Sequence, residues 1–205
     1  DEFAAKRGVV EGGQLDIAAG ESTLLYLLPE YVARFSQQYP SVRVRLHNVT
    51  GRDGLALLRA DEVDFAVGSM LEVDDDVRYE PLFDFDTRLI VPLGHPLCDL
   101  NDVTLDDISP YGLILPPRHL STWGLVELGF HSRGLTYHVT LEAGGFEVIK
   151  RYVETGLGIS IVTSICLRGD ENLASIPLSK YFPGRSYGFV TRGGRFPSPA
   201  ARRFL

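Results

Sequence analysis

The sequence has few of the residues that metal centres and disulfide frameworks need. Only two cysteines occur among 205 residues, Cys98 and Cys166, and no CxxC or HExxH motif is present. Two isolated thiols in a chain of this size are typical of free cysteines in a reducing compartment. The sequence therefore predicts no disulfide and no metal centre. The five histidines are scattered singly along the chain: His47, His95, His119, His131 and His138.

Long apolar runs and an excess of positive charge are missing too. No apolar stretch approaches the roughly 20 residues that span a membrane. Residues 1–8 contain no apolar signal core. We therefore expect a cytoplasmic protein without membrane contact, and we interpret residues 1–12 as a linker tail. The formal net charge is −7, so the chain by itself is a poor partner for the phosphates of nucleic acid.

Motifs of catalysis and phosphate binding are also absent. Ser22 follows Gly20, but position 24 is Leu24 rather than the second glycine of a GxSxG nucleophile elbow. Neither GxxxxGK followed by Ser or Thr, nor GxGxxG after a strand, occurs. Acidic pairs such as Asp106 and Asp107 stand in polar turns, where solvation explains them better than acid–base work. The sequence therefore predicts neither an enzyme nor a resident cofactor.

What is present is organised around a passage from a strand into a helix. Apolar residues alternate with polar or small ones up to Gly20, which ends the strand. From Leu24 onward the apolar residues recur at helical spacing. Ser22 and Thr23 are predicted to cap this helix with their hydroxyls. Because Pro29 has no N–H and would clash with a carbonyl of the preceding turn, we expect that first turn to be irregular.

An alternation of strands and helices continues along the chain and repeats once. Strand–helix–strand–helix–strand is predicted between residues 14 and 68 and again between residues 111 and 162. A later extended segment, residues 186–191, is predicted to join the first sheet, and a helix from Pro199 to close it. Thr50 and Asp53 have the spacing of a capping box at the start of a helix, and Gly156 is predicted to end another helix. The sequence thus predicts an α/β fold of two doubly wound lobes joined by two crossing strands. The predicted boundaries are 13–91 plus 168–205 for lobe I and 92–167 for lobe II.

Small, hydroxyl-bearing and basic residues gather in the turns that follow the strands. In such a fold these turns lie at the carboxyl edges of the sheets, where helix N-termini leave backbone N–H groups free for an anion. Hydroxyls, amides and one basic side chain can orient a small anion but have no obvious means of transforming it. We therefore predict a small anionic ligand in a cleft between the lobes. The predicted ligand-binding residues are Ser22, Thr23, Thr50, Gly51, Arg118, Ser121, Thr122, Gly144 and Gly145.

Four stretches of the sequence carry a family resemblance. They are GQLDI at 13–17 with Leu28, Pro29, Phe35, Tyr39 and Pro40; DFAV at 64–67; HPL at 95–97; and VIKRYVETGLGI at 148–159. Together they resemble the effector-binding domain of LysR-type transcriptional regulators, occur in that family's order and span nearly the whole chain. The stretch at 148–159, with YLLP at 26–29, is similar to the branch that regulates cysteine biosynthesis and sulfur assimilation.

The resemblance implies two Rossmann-like lobes of the periplasmic-binding-protein-like type 2 and the role of a small-molecule sensor. It also implies a winged helix-turn-helix domain before residue 1, through which alone DNA would be bound. In the sulfur branch the ligand-binding hydroxyls correspond to Ser22, Thr23 and Thr50. A further threonine of the second lobe corresponds to Gly144, which has no hydroxyl. This difference argues against a sulfate-like effector. Either a backbone amide replaces the missing hydroxyl, or a larger ligand uses the space that the missing side chain leaves.

The family also pairs such domains in antiparallel fashion, which implies a homodimer or a homotetramer. A face of the first helix would then contact the second lobe of the partner. Packing within one subunit is the alternative role of the same side chains. The residues implied in this interface are Tyr31, Arg34, Phe35, Ile149, Tyr152 and Val153.

Two other functions share the predicted architecture. The solute-binding protein of a transporter would need a signal peptide or a lipid anchor, and no secretory trace is present in these residues. An enzyme would need a catalytic set that the sequence lacks. We therefore predict the sensor domain of a transcriptional regulator, in which effector binding changes the closure of the lobes.

Overall fold

The structure is a computed structural model that describes residues 13–70 and 72–205. It divides the chain into two compact units. One unit contains the chain up to Phe83 together with Ser186–Leu205, and the other contains Asp84–Arg185. The predicted linker tail, residues 1–12, lies outside the described residues. In the part of the chain that is described, no helix has the length and apolar character to span a membrane.

The first unit is built on five strands: β1 (Gln14–Ala19), β2 (Arg43–Asn48), β3 (Phe65–Gly68), β4 (Val77–Phe85) and β10 (Arg185–Arg192). Their order in the sheet is β2-β1-β3-β10-β4. β1 runs parallel to β2 and β3, and β10 runs antiparallel to β3. The predicted pairing of residues 186–191 with the first sheet is therefore confirmed.

Three helices cover this sheet: α1 (Leu28–Gln38), α2 (Gly51–Arg59) and α6 (Pro199–Phe204). Successive side chains of β1 point to opposite faces of the sheet, and each face belongs to a separate hydrophobic cluster. Leu15, Ile17 and Ala19 pack with the buried residues of α1 and α6, whereas Ala18 packs with Leu58 of α2. The predicted helix from Pro199 is confirmed, and the hydroxyl of Ser198 caps it by accepting a hydrogen bond from the Ala201 N–H at 3.1 Å.

The entry into α1 is irregular, as the sequence predicts. A π-helical turn, Thr23–Leu27, precedes α1, and the N–H of Leu28 donates to the carbonyl of Thr23 five residues back. The prediction that hydroxyls cap this helix is wrong for Ser22. Its φ of −62° and ψ of −39° are already helical, and its side chain makes no capping bond. An N-cap needs an extended backbone to direct its hydroxyl at the first free N–H groups.

The second unit also contains five strands: β5 (Thr87–Pro92), β6 (Gly112–Leu115), β7 (His138–Glu142), β8 (Ser160–Thr163) and β9 (Leu173–Pro177). β5 lies between β8 and β9 and is antiparallel to both, whereas β6 and β7 are parallel. Two backbone hydrogen bonds of Ile159, to Gly112 and from Ile114, join these groups. The resulting order, β7-β6-β8-β5-β9, repeats the pattern of the first unit, as the internal repeat predicts.

The two units differ from the predicted lobes in their boundaries. The prediction assigns β5 and β9 to lobe I, with lobe II restricted to 92–167. In the structure β5 is the middle strand of β8-β5-β9, and its hydrogen bonds to both neighbours hold all three strands in the second unit. The chain therefore crosses from one unit to the other earlier, at Phe83 and Asp84, and returns later, at Arg185 and Ser186.

The helices of the second unit are α3 (Leu105–Ile108), α4 (Ser121–His131) and α5 (Phe146–Glu154). A large cluster packs α3 and α4 against β5, β6 and β9, with Trp123 and Phe130 among its buried members. Gly156, at a φ of +79°, ends α5, because only glycine adopts this left-handed conformation at little cost. This termination of the helix was predicted.

A buried lysine holds the segment after β8 against α5. Lys150 is only 4% exposed, and its Nζ donates to the carbonyl of Cys166 at 2.8 Å. It also contacts the carboxylates of Glu147 at 2.8 Å and Glu171 at 3.1 Å. Since a buried ammonium needs such partners, Lys150 is accounted for as a structural residue.

Candidate functional site

Two turns lie side by side at the carboxyl edge of the first sheet. β1 and β2 are parallel, and Ala19 stands opposite Asn48 at their ends. The N–H of Val49 donates to the Ala19 carbonyl at 3.1 Å, so both chains leave the sheet at the same edge. The structure therefore brings together the four residues predicted in the first lobe: Ser22, Thr23, Thr50 and Gly51.

The hydroxyl of Thr50 is engaged in capping α2. It accepts a hydrogen bond from the N–H of Asp53 at 3.3 Å and donates one to the Asp53 carboxylate at 2.7 Å. The cap predicted from the Thr50–Asp53 spacing is confirmed. Because the hydroxyl proton is already donated to Asp53, a ligand that accepts a hydrogen bond from Thr50 has to replace this local bond. The Asp53 carboxylate also places a negative charge at the start of α2.

The other first-unit residues differ in their access to solvent. Thr23 is only 1% exposed, so its side chain cannot contact a ligand without a movement of its surroundings. Ser22 is half-buried and Gly51 is exposed. The Ser22 hydroxyl and the backbone around Gly51 are thus accessible at this edge, whereas the Thr23 side chain is not.

The second sheet presents a corresponding edge. β6 and β7 are parallel, with Leu115 opposite Glu142 at their ends. The N–H of Ala143 donates to the Leu115 carbonyl at 3.0 Å. The turns that follow these two strands therefore also leave the sheet at one edge. These turns and the first turn of α4 contain the five residues predicted in the second lobe: Arg118, Ser121, Thr122, Gly144 and Gly145.

Arg118 lies on the surface beside the start of α4. Its guanidinium carbon is 4.8 Å from the centroid of the buried Trp123 ring, a distance at which the ring face attracts a cation. Ser121 is exposed and Thr122 is half-buried. The first turn of α4 contains no acidic residue, and its N-cap, Leu120, offers no side-chain oxygen. This end of the helix is therefore electropositive.

Arg185 contacts the same turn and was missed by the sequence analysis. Its Nη2 donates to the Ser121 hydroxyl at 2.7 Å. Its Nε is buried and has no hydrogen-bond partner. The two residues are 64 positions apart in the chain, so no local pattern links them. The available signal is a basic residue directly after Pro183 and Gly184, immediately before the predicted extended segment 186–191.

Gly144 at the second edge has open space around it. Gly145 precedes α5 with a φ of +81°, and a β-carbon on Gly144 would meet no atom within 4 Å. The position where the resemblance implies a threonine therefore has free space above it. A side chain at position 144 would therefore fit sterically, and its absence leaves free space at this edge.

Half of the residues implied in a dimer interface are buried within their own unit. Phe35 belongs to the core of the first unit at 5% exposure, and Ile149 and Val153 are both at 0%. These three cannot present a surface to a partner, so their alternative role in core packing holds. Tyr31, at 43%, and Tyr152, at 45%, are exposed, and so is Arg34.

A cavity of about 340 Å³ lies elsewhere in the second unit. Arg88, Ser164 and Ser175 are among its lining residues, and none of the predicted ligand-binding residues is. The Nε of Arg88 donates to the Ser175 hydroxyl at 3.0 Å. Within the described residues, no group of three or more His, Cys, Asp and Glu could hold a metal ion.

Comparison with known proteins identifies the family. The model of the LysR substrate binding domain matches residues 9–205. The chain belongs to the family of LysR substrate-binding domains. This confirms the family that the four sequence stretches predict, together with the α/β fold of two Rossmann-like, type 2 periplasmic-binding-protein-like units.

Two curated relatives are transcriptional regulators. The chain is 31% identical over 173 residues to the HTH-type transcriptional regulator CysB of Burkholderia cenocepacia, covering 83% of this chain and 55% of that protein. It is 30% identical over 196 residues to the HTH-type transcriptional regulator cbl of Escherichia coli, covering 94% of this chain and 62% of that protein. The chain thus spans little more than half the length of these relatives, which are regulators rather than enzymes.

Solved structures share the fold. The cofactor-binding domain of the Cbl transcriptional regulator superposes with a TM-score of 0.86 at 28% identity, covering 96% of this chain and 88% of that one. The regulatory domain of Synechocystis CcmR, in complex with 2-PG, gives a TM-score of 0.85 at 23% identity, covering 94% of each chain. At that identity the second likeness shows the fold alone.

Proposed function

We propose that this chain is the ligand-sensing regulatory domain of a LysR-type transcriptional regulator. The match of the family model to residues 9–205 carries this proposal, because it covers both units and every predicted ligand-binding residue. The regulators CysB and cbl, at 31% and 30% identity, support it further. They favour a regulator over the solute-binding protein of a transporter.

The proposed ligand is a small anionic effector that binds to the turns at the carboxyl edges of the sheets. Backbone N–H groups, the hydroxyls of Ser22 and Ser121 and the guanidinium of Arg118 are suited to oxyanions. The CcmR domain of the same fold is in complex with 2-PG, which is consistent with a small ligand for this fold. The missing hydroxyl at Gly144 argues for an effector other than a sulfate-like ion.

The proposal extends to the partners of the whole protein. DNA would be bound by a helix-turn-helix domain upstream of this chain, as in the HTH-type relatives, and the protein would act in the cytoplasm as a homodimer or homotetramer. Tyr31, Arg34 and Tyr152 are the implied interface residues with exposed side chains. Aromatic residues and arginine are enriched in protein interfaces. We therefore expect these three exposed side chains, and not the buried Phe35, Ile149 and Val153, to contact a second copy of the chain.

The proposed function is tested with the native, full-length protein from its own cell. Its intact mass should exceed that of this chain by roughly one small domain, with a helix-turn-helix sequence upstream. The transcription that it controls should respond to an added anion, and this response should be lost in a variant with both Ser22→Ala and Thr50→Ala. A native protein that starts near Asp1 after a cleaved signal would refute the regulator and support the transporter protein.

A further inference from the structure

Arg185 has a hydrogen-bonding group that nothing in the described residues satisfies. Its Nε is buried without a partner, although its Nη2 donates to Ser121. Buried donors in folded proteins are almost always paired with protein atoms, water or a ligand. The unpaired Nε therefore marks a place where an acceptor, either a water or a ligand, is expected.

The guanidinium of Arg185 also has no carboxylate partner among the described residues. Arginines elsewhere in the described chain do have one: Arg59 contacts Asp74 and Asp76 at 2.6 and 2.7 Å, and Arg192 contacts Asp61 at 2.8 Å. The positive charge of Arg185 thus remains without a neutralising side chain. An arginine of this kind can present two parallel N–H donors to an oxyanion.

The neighbours of Arg185 complete a set of donors. Ser121 accepts the hydrogen bond from Arg185, so its own hydroxyl proton stays available for another acceptor. Arg118, three residues before Ser121 in the chain, adds a second positive charge beside the start of α4, and no acidic residue occupies the first turn of that helix. In the first unit, by contrast, the Thr50 hydroxyl is bound to the Asp53 carboxylate. The edge of the first unit is therefore less suited to an anion than the edge of the second unit.

We infer that Arg185 binds the anionic group of the effector, with the Ser121 hydroxyl as a second donor. The effector class is a small organic acid with a carboxylate, phosphate or sulfonate end that lies on the second unit. This inference rests on the proposed function and specifies which residue of the site recognises the charge.

Calorimetric titration of the 205-residue chain tests this inference with four probes: sulfate, inorganic phosphate, 3-phosphoglycerate and shikimate. We expect wild type to bind at least one of the organic acids and Arg185→Gln to bind it about tenfold more weakly or worse, because a hydrogen bond to a charged group is lost. Arg185→Lys keeps the positive charge but lacks the planar guanidinium, so its affinity should lie between those of wild type and Arg185→Gln. Arg88→Gln is the matched control, because Arg88 also donates to a serine hydroxyl of the same unit, and its affinity should stay within about twofold of wild type.

The ¹⁵N-correlated resonance of the Arg185 Nε–H provides a readout that a change in stability would not imitate. It should move on addition of the probe that binds. Equal affinity of wild type and Arg185→Gln, or an Nε–H resonance that stays unmoved while amides near Ser22 and Thr50 shift, overturns the inference and leaves the proposed function intact. Failure of wild type to bind any of the four probes counts against the proposed function and against the inference with it.

Discussion

The ring of Phe182 packs directly against the backbone of Gly129 in α4. A β-carbon on Gly129 would lie 2.3 Å from Cε1 of that ring, and Phe182 is 2% exposed. The absence of a side chain at one helical position thus lets the segment after β9 approach α4. This contact belongs to the main core cluster of the second unit.

We therefore expect Gly129→Ala to lower the free energy of unfolding by about 1–3 kcal/mol, because the buried ring has to shift. This loss is larger than the gain of up to about 1 kcal/mol that replacing glycine by alanine brings in a helix interior. Gly124→Ala in the same helix is the control, since a β-carbon there meets no atom within 4 Å, and it should stabilise. Urea denaturation measures both. A stabilised Gly129→Ala variant would contradict the packing described for Phe182.

Thr50 and Ser22 should differ in their effects on stability, although both were predicted as capping residues. Thr50→Ala removes the cap of α2 and should cost about 1 kcal/mol. Ser22→Ala removes no capping bond and should change the unfolding free energy by less than about 0.5 kcal/mol. Thr50→Ser, which retains a hydroxyl, should restore most of the loss. Equal destabilisation by the two alanine variants would show that Ser22 does cap its helix.

The stability that Glu171 contributes should depend on pH. Burial alone would raise the pKa of its carboxyl group. Hydrogen bonds from the N–H groups of Arg168 and Gly169 and from Lys150 outweigh burial and lower the pKa from 4.5 to about 2. The carboxylate therefore stabilises the fold fully above about pH 4.5, and this contribution is lost as the pH falls towards 2.

Denaturation of wild type and Glu171→Gln between pH 7 and pH 3 measures that dependence. The difference in unfolding free energy should be largest near neutral pH and should shrink below pH 4.5. Glu62→Gln, at an exposed glutamate, controls for the change in net charge. A difference between wild type and Glu171→Gln that stays constant over this range would exclude the lowered pKa.

The two thiols should react very differently. Burial raises the pKa of the Cys166 thiol to about 12, so at neutral pH it has almost no thiolate. Cys98 is exposed. A maleimide should label one thiol in the native protein and both in denaturant, and Cys98→Ser should abolish native labelling. Labelling of Cys166 in the folded state would contradict its burial.

The order of the elements could be predicted from the sequence because it depends on local periodicity and on a few residues with fixed conformational demands. Pro29 predicted the irregular turn before α1, and the Thr50–Asp53 spacing predicted the cap of α2. The pairing of residues 186–191 followed from the need of an extended segment for a partner. The irregular turn and the cap require information from only a few neighbouring residues.

The features that could not be predicted depend on distant contacts. The Arg185–Ser121 hydrogen bond joins residues far apart in sequence, and the membership of β5 in the second sheet depends on which strands flank it. The stripe with Phe35 on α1, or with Ile149 and Val153 on α5, has the same periodicity whether it faces a core or a partner subunit. Only the packed structure shows that these three residues are buried.

The division of the chain has a consequence for protein synthesis. The second unit is one uninterrupted stretch, Asp84–Arg185, whereas β10 of the first unit lies between β3 and β4 but is made after the whole second unit. While the ribosome translates residues 84–185, the inner edges of β3 and β4 have no strand to pair with, and such open edges favour aggregation. The unit encoded in the middle can therefore complete its fold first, and the unit that begins the chain has to wait for residues 185–192 to emerge.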